Sequence, residues 1–310
     1  MKLKPQSIGE LQEELARATS VDDLNLSALD QLIDHVPEDM TATAQAGMTL
    51  AAFQEQLAQG GQWLPVDPPH PENLSIGALL AHNASGPRRL GFGTVRDWLI
   101  GLTFILPDGR LIRNGGKVVK NVAGFDLCRL MVGSRGTLGI IVEATFKLLP
   151  LPESETLIQK KCDSLDETAE LLEQILASDL QPCVLDLHRT NGQPPALVAG
   201  FSGATADVEA QARTLRDMGL ATKATLSYDE TFRCNPVRTE SIAPGELIDY
   251  LKALGDAEFV ARAASGLIYS RALHEGERQA NISKNHPPEP SALQHRIKDL
   301  FDPEGKLPRL

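Results

Sequence analysis

The chain has 310 residues, of which 42% are hydrophobic and 23% charged, and a formal net charge of −11 at pH 7. This composition is typical of a globular protein with enough length for two hydrophobic cores, and the negative charge argues against nucleic acid as a partner. No apolar run reaches the roughly 18 residues that a membrane-spanning helix needs, so no integral membrane segment is expected.

The N-terminus carries Lys2 and Lys4 without an apolar stretch behind them. A signal peptide is therefore not expected, and we predict a cytoplasmic protein, with peripheral attachment to the inner membrane through partners left open. The four cysteines are widely separated and form no Cys-x-x-Cys pair. This spacing predicts reduced thiols and no metal site.

The first elements of the chain alternate between helix and strand patterns. Ser7 and Glu10 form a capping box that predicts a helix over 8–18. The acidic stretch from Thr19 to Ile33 has a helix-like pattern of leucines. The next predicted elements are a strand at 41–46, a helix at 48–59 and a strand at 63–66.

A second group of elements runs up to a proline-rich boundary. A helix-like stretch covers 76–84, and Pro107-Asp-Gly109 predicts a turn that joins two strands. A strongly apolar strand over 137–149 ends at Pro150. We therefore predict a first domain over 1–150, with parts 1–66 and 67–150, and a second domain over 151–310.

The second half predicts an antiparallel sheet with helices on one face. Its elements follow the order βαββαβ between Thr156 and Ser227, which is the ferredoxin-like arrangement. A helix at 245–254, strands within 258–272 and a helix near 291–301 complete the chain.

Glycines are concentrated between Gly77 and Gly139, where 12 of the chain's 25 lie. Glycine is favoured where the backbone needs a positive φ or where another molecule approaches it closely. From Gly77 to Lys147 there are ten Lys and Arg against four acids. Such a locally positive segment suits a small anionic ligand, although charges solvated around turns would give the same pattern.

Three segments in this region, 67–78, 84–97 and 116–139, resemble a known family. They include the strings Ser-Gly-Pro-Arg-Arg at 85–89 and Lys-Asn-Val-Ala-Gly-Phe-Asp at 120–126. These strings resemble the PCMH-type, vanillyl-alcohol-oxidase-like FAD-binding domains. Within that family they resemble most the FAD-binding subunits of bacterial glycolate oxidases. The resemblance is dense over 40–150 and weak over the second half.

The resemblance implies an α+β protein with a PCMH-type FAD-binding domain, a truncated first subdomain and a ferredoxin-like antiparallel cap. It implies FAD as the cofactor, which the protein tunes by hydrogen bonds and charge. The residues that match the family's cofactor contacts are Pro68, Pro69, Ser75, Ile76, Gly77, Ala78, Ala81, Ser85, Gly86, Gly93, Gly136, Gly139 and Ile140. Lys117, Lys120 and Arg135 could add positive charge, or be surface charges.

The function that the resemblance implies is oxidation of glycolate or a similar small hydroxy acid. Such a subunit works with a second flavin subunit and passes electrons through the flavin to an iron–sulfur partner. Flavin-dependent oxidation needs a base near the hydroxyl and a cation for the carboxylate. His188, Arg189, Arg233, Arg262 and His286 are candidates by position in the cap half, and no catalytic residue is assigned.

One part of the family pattern is missing. The family holds the FAD diphosphate on successive N–H groups of a glycine-rich loop, whereas residues 10–46 contain no glycine and include Asp22 and Asp23, which would repel a diphosphate. The loop is therefore absent, which puts FAD occupancy in question. The alternative is a flavin-fold subunit that has lost FAD and has a structural or assembly role. A self-sufficient flavoenzyme fits the sequence least.

Overall fold

The computed structural model describes residues 1–116, 126–190, 192–235, 237–271 and 291–310. Within them the chain forms two compact units. The first contains residues 1–85, 94–151 and 291–310, and the second contains 86–93 and 152–271. The segment 86–93 and the C-terminal helix are therefore grouped differently from the sequence-based division at residue 150.

The described residues form short strands and helices throughout. In chain order the strands are β1 Lys2–Leu3, β2 Asp23–Leu24, β3 Leu32–Val36, β4 Thr41–Gln45, β5 Gln62–Trp63, β6 Leu99–Ile105, β7 Leu111–Gly115, β8 Ile140–Lys147, β9 Leu149–Pro150, β10 Ser154–Lys161, β11 Val184–Arg189, β12 Ala196–Gly203, β13 Thr222–Lys223, β14 Arg238–Ser241, β15 Phe259–Arg262 and β16 Leu267–Ser270. The α-helices are α1 Ile8–Arg17, α2 Leu50–Gln59, α3 Ile76–His82, α4 Arg89–Phe92, α5 Val95–Trp98, α6 Leu127–Met131, α7 Leu165–Leu176, α8 Thr205–Asp217, α9 Ser227–Arg233, α10 Leu247–Ala253 and α11 Ala292–Phe301.

The first unit is built on a five-stranded antiparallel sheet in the order β3-β4-β8-β6-β7. Side chains of α2, α3 and α6 share one core with strand residues such as Phe104 and Phe146. The rings of Phe53 and Phe146 lie 5.7 Å apart at 52°, a tilted geometry that aromatic pairs favour. Helix α1 belongs to a second core, in which Leu11 and Leu15 pack with strand residues.

Helix α11 packs on the first unit at the other end of the chain. Ile297 and Phe301 contact the core that contains α2 and α3. The ammonium group of Lys298 donates to the carbonyl oxygen of Thr137 at 2.8 Å, across 161 positions of sequence. These contacts explain why the C-terminal helix joins the first unit.

The predicted helix-like stretch at 19–33 is not a helix. Asp23 and Leu24 form β2, which pairs in parallel with β1. The side-chain oxygen of Asn25 accepts from the Ser27 N–H at 2.9 Å, which makes a local turn. Asn can hydrogen-bond the backbone two residues on, and this competes with helix formation. The leucine pattern instead brings Leu29 into the core of α1.

This short connection between α1 and β3 is packed directly against Gly47, which follows β4. The Gly47 N–H donates to the Leu29 carbonyl oxygen at 2.8 Å. A Cβ on Gly47 would lie only 1.8 Å from the carbonyl oxygen of Leu26. Only glycine allows so close an approach of two backbone segments, so Gly47 fixes the position of residues 26–29.

The second unit is a seven-stranded antiparallel sheet in the order β13-β10-β12-β11-β15-β16-β14. Its first four strands have the ferredoxin-like order, and α7, α8 and α10 share a core with the sheet. The segment 86–93 joins this unit because the Gly91 N–H donates to the Cys183 carbonyl oxygen at 3.2 Å. Phe92 packs beside Cys183 and Val184. The predicted α+β class and antiparallel cap are confirmed.

We predict that Gly47→Ala lowers the free energy of unfolding by about 1–3 kcal/mol, because the added methyl group collides with backbone that cannot rotate away. Urea denaturation followed by circular dichroism measures this change. Gly9→Ala is the matched control, since its Cβ would lie 4.0 Å from the Ser7 hydroxyl oxygen, the nearest atom. Its expected effect is a gain of less than about 1 kcal/mol in helix stability. Equal effects of both substitutions would contradict this account of Gly47.

Candidate functional site

A cavity of about 330 Å³ lies within the first unit. This volume is near the lower end of the roughly 300–1,000 Å³ that small-molecule sites occupy. The lining residues are Val21, Asp22, Asp23, Leu24, Leu26, Ser75, Gly77, Ala78, Ala81, His82, Ser134, Arg135, Gly136, Gly139, Ile140, Ile141, Leu307 and Pro308.

The start of α3 forms one wall. Ser75 caps this helix, and its hydroxyl oxygen accepts from the Ala78 N–H at 3.2 Å. The Gly77 N–H donates to the Ala46 carbonyl oxygen at 2.8 Å, and a Cβ on Gly77 would lie 3.1 Å from the Ala46 Cβ. The Ile76 N–H donates to the Met48 carbonyl oxygen at 2.8 Å. The first N–H groups of α3 thus donate to acceptors within the protein, and the wall that they form carries mostly small side chains.

The turn before β8 forms a second wall. Its Gly133 and Arg135 N–H groups donate to the last turn of α3, each at 2.9 Å. Arg135 and Gly136 both have positive φ, +52° and +76°, so the turn is tight. The Ser134 hydroxyl is buried and has no hydrogen-bond partner among the described residues.

Gly139 also lines this wall, and the atoms packed around it favour glycine. A Cβ there would lie 3.1 Å from both the Ile105 carbonyl oxygen and the Phe104 ring. Internal packing therefore favours glycine at this position with or without a ligand. Gly136 differs, because a Cβ at that position would have no described atom within 4 Å, and only its φ favours glycine.

A third wall is acidic and comes from the shortened connection between α1 and β3. Asp22 pairs with the Met1 ammonium group, and Asp23 lies 3.4 Å from the Lys2 Nζ. A hydrogen bond from that ammonium group, together with its charge, lowers the pKa of Asp22. Both carboxylates are mostly exposed, at 71% and 58%, so they present negative charge to solvent and to the cavity.

The amides of this wall are also used inside the protein. The Val21 N–H donates to the Lys306 carbonyl oxygen at 2.8 Å, and the Asn25 N–H donates to the Leu3 carbonyl oxygen at 2.9 Å. The Asp22 N–H donates to the Met1 carbonyl oxygen at 3.0 Å. A diphosphate cradle needs several neighbouring N–H groups that point at the ligand. These three N–H groups are not available for one.

The last wall comes from the C-terminal segment, which no feature of the sequence predicted here. Leu307 and Pro308 line the cavity, and the Asp302 carboxylate holds this segment by accepting from the Lys306 and Leu307 N–H groups, each at 2.9 Å. Lys298 pairs with the same carboxylate. No local pattern signals this contact, because it depends on where α11 packs.

Seven of the thirteen predicted cofactor contacts line this one cavity. They are Ser75, Gly77, Ala78, Ala81, Gly136, Gly139 and Ile140. Ile76 is fully buried in the core instead. Pro68, Pro69 and Ser85 belong to the first unit and are not among the lining residues, while Gly86 and Gly93 belong to the second unit.

The cavity fits one part of FAD better than another. Walls of Gly77, Ala78 and Ala81 suit a flat ring, because such a surface lets a planar group approach closely. A diphosphate fits less well beside Asp22 and Asp23, although Arg135 also lines the cavity. The backbone N–H groups described above donate within the protein and do not form a cradle for it.

Several other candidates from the sequence have different roles or cannot be placed. Lys117, Lys120 and His286 lie outside the described residues. Arg88 makes a two-point ion pair with Glu155 inside the second unit, at 2.9 and 3.1 Å. Two of the candidate catalytic arginines are structural: Arg189 donates to backbone carbonyls of the same unit, and Arg233 pairs with Asp229 at 3.6 Å.

Arg262 lies at the centre of a buried charged cluster in the second unit. Its guanidinium group donates to Asp229 at 2.6 Å and also pairs with Asp186. Tyr228 donates to the same Asp186 carboxylate at 2.6 Å. His188 stacks on the Tyr228 ring at 4.4 Å, and neither of its ring nitrogens has a hydrogen-bond partner among the described residues. The cluster ties α9 to β11 and β15.

The comparisons with known proteins agree with the sequence resemblance. Residues 8–115 match a family model described as an FAD binding domain. This range contains most of the cavity's α3 wall and its acidic wall. The predicted resemblance to PCMH-type FAD-binding proteins and glycolate oxidase subunits is confirmed.

Curated relatives match the chain over about half of its length. Glycolate oxidase subunit GlcD of Bacillus subtilis is 37% identical over 170 residues, which are 55% of this chain and 36% of that protein. Glycolate oxidase subunit GlcE of Escherichia coli is 38% identical over 143 residues, 46% of this chain and 41% of that protein. D-lactate dehydrogenase of Archaeoglobus fulgidus is 33% identical over 151 residues, which are 48% of this chain and 33% of that protein. The chain thus spans well under half the length of these relatives.

A solved structure shares the fold over nearly the whole chain. An alkyldihydroxyacetonephosphate synthase superposes with a TM-score of 0.68 and 17% identity, covering 94% of this chain and 68% of that one. At this identity the likeness concerns the fold alone. No helix among the described residues is long and apolar enough to cross a membrane.

We predict that Arg262→Ala lowers the free energy of unfolding by about 3–5 kcal/mol, because it leaves two buried carboxylates without their cation. Urea denaturation of the full chain measures the loss. Arg213→Ala, at an exposed position on α8, is the control and should change stability by no more than about 0.5 kcal/mol. A small effect of the Arg262 substitution would mean that the cluster contributes little to stability.

We predict that the buried His188 makes the free energy of unfolding depend on pH. Burial, with a smaller effect of Lys161, lowers its pKa to about 4, below the unfolded value of about 6.5. Its contribution to stability is therefore complete above pH 6.5 and is lost as the pH falls toward 4. We expect about 2 kcal/mol of this loss between pH 7 and pH 5.

His188→Phe keeps the stacked ring and removes the titration, so the variant should lose about 2 kcal/mol less than the unmodified chain over this interval. Denaturation curves at both pH values measure the difference. Burial raises the pKa of Asp186 to about 6, but that group is present in both proteins and its effect largely cancels. Parallel pH profiles for the two proteins would show that His188 does not titrate as described.

Proposed function

We propose that this chain is the FAD-binding subunit of a glycolate-oxidase-like complex that oxidises small 2-hydroxy acids. The observation that carries the proposal is the convergence of seven predicted cofactor contacts on one cavity. That cavity lies in the unit whose residues 8–115 match an FAD binding domain. In this proposal the first unit holds the cofactor and the second unit is the cap.

The substrate class follows from chemistry shared by the relatives. Glycolate, D-lactate and D-2-hydroxyglutarate, which appear in their names, all carry a hydroxyl group next to a carboxylate. When bound, FAD supplies a two-electron acceptor for oxidation of the hydroxyl-bearing carbon to a carbonyl. In this chain, Gly77 and Ala78 would contact a flat ring of the cofactor. No residue is proposed as the catalytic base.

Partners are part of the proposal because two of the relatives are named as subunits of glycolate oxidase. We therefore propose a second flavin subunit and an iron–sulfur subunit that receives electrons from the flavin. We also propose that the assembly is cytoplasmic or held at the inner membrane through those partners.

A second candidate is a flavin-fold subunit without FAD that serves in assembly. The observation that favours it is that backbone N–H groups around the cavity already donate hydrogen bonds within the protein. Those of Ile76, Gly77, Val21 and Asp22 all donate within the protein, so the cavity lacks the donors that hold a diphosphate elsewhere. In addition, internal packing alone accounts for glycine at position 139.

The two candidates differ in whether the purified chain carries flavin at this cavity. We expect the chain, co-expressed with its partners, to show the visible absorption of oxidised flavin and to release FAD on denaturation. Ala78→Leu should reduce the released FAD at least tenfold by filling the cavity, while the fold is kept. Ala58→Leu, at an exposed position of α2, is the matched control and should retain the cofactor.

A colourless complex, with all subunits present, would reject the first candidate and support the second. Flavin that is retained in full by the Ala78→Leu variant would place the cofactor outside this cavity. Circular dichroism and the urea midpoint of both variants separate loss of cofactor from loss of fold.

A further inference from the structure

We propose that Asp22 and Asp23 weaken the binding of FAD to this cavity by opposing its diphosphate, so that the affinity comes from the uncharged ring systems. The proposal rests on the proposed function, because it concerns the same cavity. It makes the two acidic residues determinants of cofactor affinity and selectivity. The cavity would accept riboflavin or adenosine at least as well as FAD or ADP, which carry the diphosphate.

The position of the two carboxylates is the first argument. Both residues line the cavity together with Gly77, Gly136 and Gly139. Ionised carboxylates accept hydrogen bonds and cannot donate them. A phosphate oxygen needs donors, so it gains nothing from these side chains and meets their negative charge at short range.

The cations near this wall are occupied by the two carboxylates. The Met1 ammonium group is paired with Asp22, and Lys2 lies 3.4 Å from Asp23. A diphosphate would have to compete with these carboxylates for the same cations. Arg135 also lines the cavity. The two carboxylates thus oppose a diphosphate chiefly by holding cations that would otherwise attract it.

The hydrogen-bond donors of the cavity point to the same ligand chemistry. At the start of α3 the Ile76 and Gly77 N–H groups donate to carbonyl oxygens within the protein. In the acidic wall the Val21 and Asp22 N–H groups do the same. These groups therefore do not supply the several neighbouring donors that a diphosphate requires.

The test compares four probes with the unmodified full chain and with the double variant Asp22→Asn and Asp23→Asn. Riboflavin and adenosine lack the diphosphate, whereas FAD and ADP contain it. Titration calorimetry or fluorescence quenching gives each dissociation constant. We expect the double variant to bind FAD and ADP on the order of tenfold more tightly, because two opposing charges are removed. Binding of riboflavin and adenosine should change by less than twofold.

A matched control removes the same net charge elsewhere on the first unit. Asp30 and Asp39 are exposed and are not among the lining residues. The double variant Asp30→Asn and Asp39→Asn should leave all four affinities within twofold of the unmodified chain. This control separates a local effect at the cavity from a general effect of net charge, which salt screens over about 10 Å.

A measurement on the unmodified chain keeps the proposal testable if the variants fail to fold. Added salt should tighten ADP binding, or leave it unchanged, because salt screens repulsion between exposed charges. A phosphate site built on attraction would instead lose affinity as salt rises. Adenosine binding should not respond to salt.

The outcomes distinguish this inference from the proposed function. Unchanged FAD and ADP affinities in the Asp22/Asp23 variant, with riboflavin or adenosine still bound, would overturn the inference and leave the proposed function standing. Equal tightening by the control variant would also overturn it. Failure of all four probes to bind either protein would overturn the proposed function itself.

Discussion

The close contact between Gly47 and the carbonyl oxygens of residues 26 and 29 fixes the position of the connection between α1 and β3 in the first unit. The Val21, Asp22 and Asn25 N–H groups of this connection donate to carbonyl oxygens near the two ends of the chain. Leu29 of the connection packs in the core of α1, and Asp22 and Asp23 line the cavity.

The glycines of this region have two different physical origins. Glycine at positions 139 and 77 is favoured by packing, since a Cβ at either would lie 3.1 Å from neighbouring atoms. Gly136 is required only by its backbone angle. A density of glycines in the sequence is thus compatible with a ligand surface but does not by itself demonstrate one. What supports a ligand is the cavity that these residues share and the small, smooth wall that they leave in it.

The second unit is stabilised by a polar interior that the first unit does not need. Asp186, Asp229 and Arg262 are buried on the sheet beside α9, while the helices α7, α8 and α10 share an apolar core with the sheet. Burying charge is costly unless the partners satisfy one another. The short distances among these side chains show that much of this charge is paired, while Asp186 Oδ1 and Arg262 Nε have no hydrogen-bond partner among the described residues. Their structural engagement also explains why arginines in this half are poor guides to catalysis.

The sequence by itself determined the α+β class, the ferredoxin-like order of the cap and most element positions, because capping residues and apolar periodicity act over a few neighbouring residues. It also predicted that a diphosphate loop is missing, since no glycine lies between residues 10 and 46. It predicted a helix-like segment at 19–33, where the pairing of β2 with β1 prevailed over the local helix propensity. Only the tertiary structure decided that Leu307 and Pro308 wall the cavity, that Ile76 faces the core, and that the nearby amides are already bonded. Those outcomes depend on contacts between residues far apart in the chain, which no local pattern encodes.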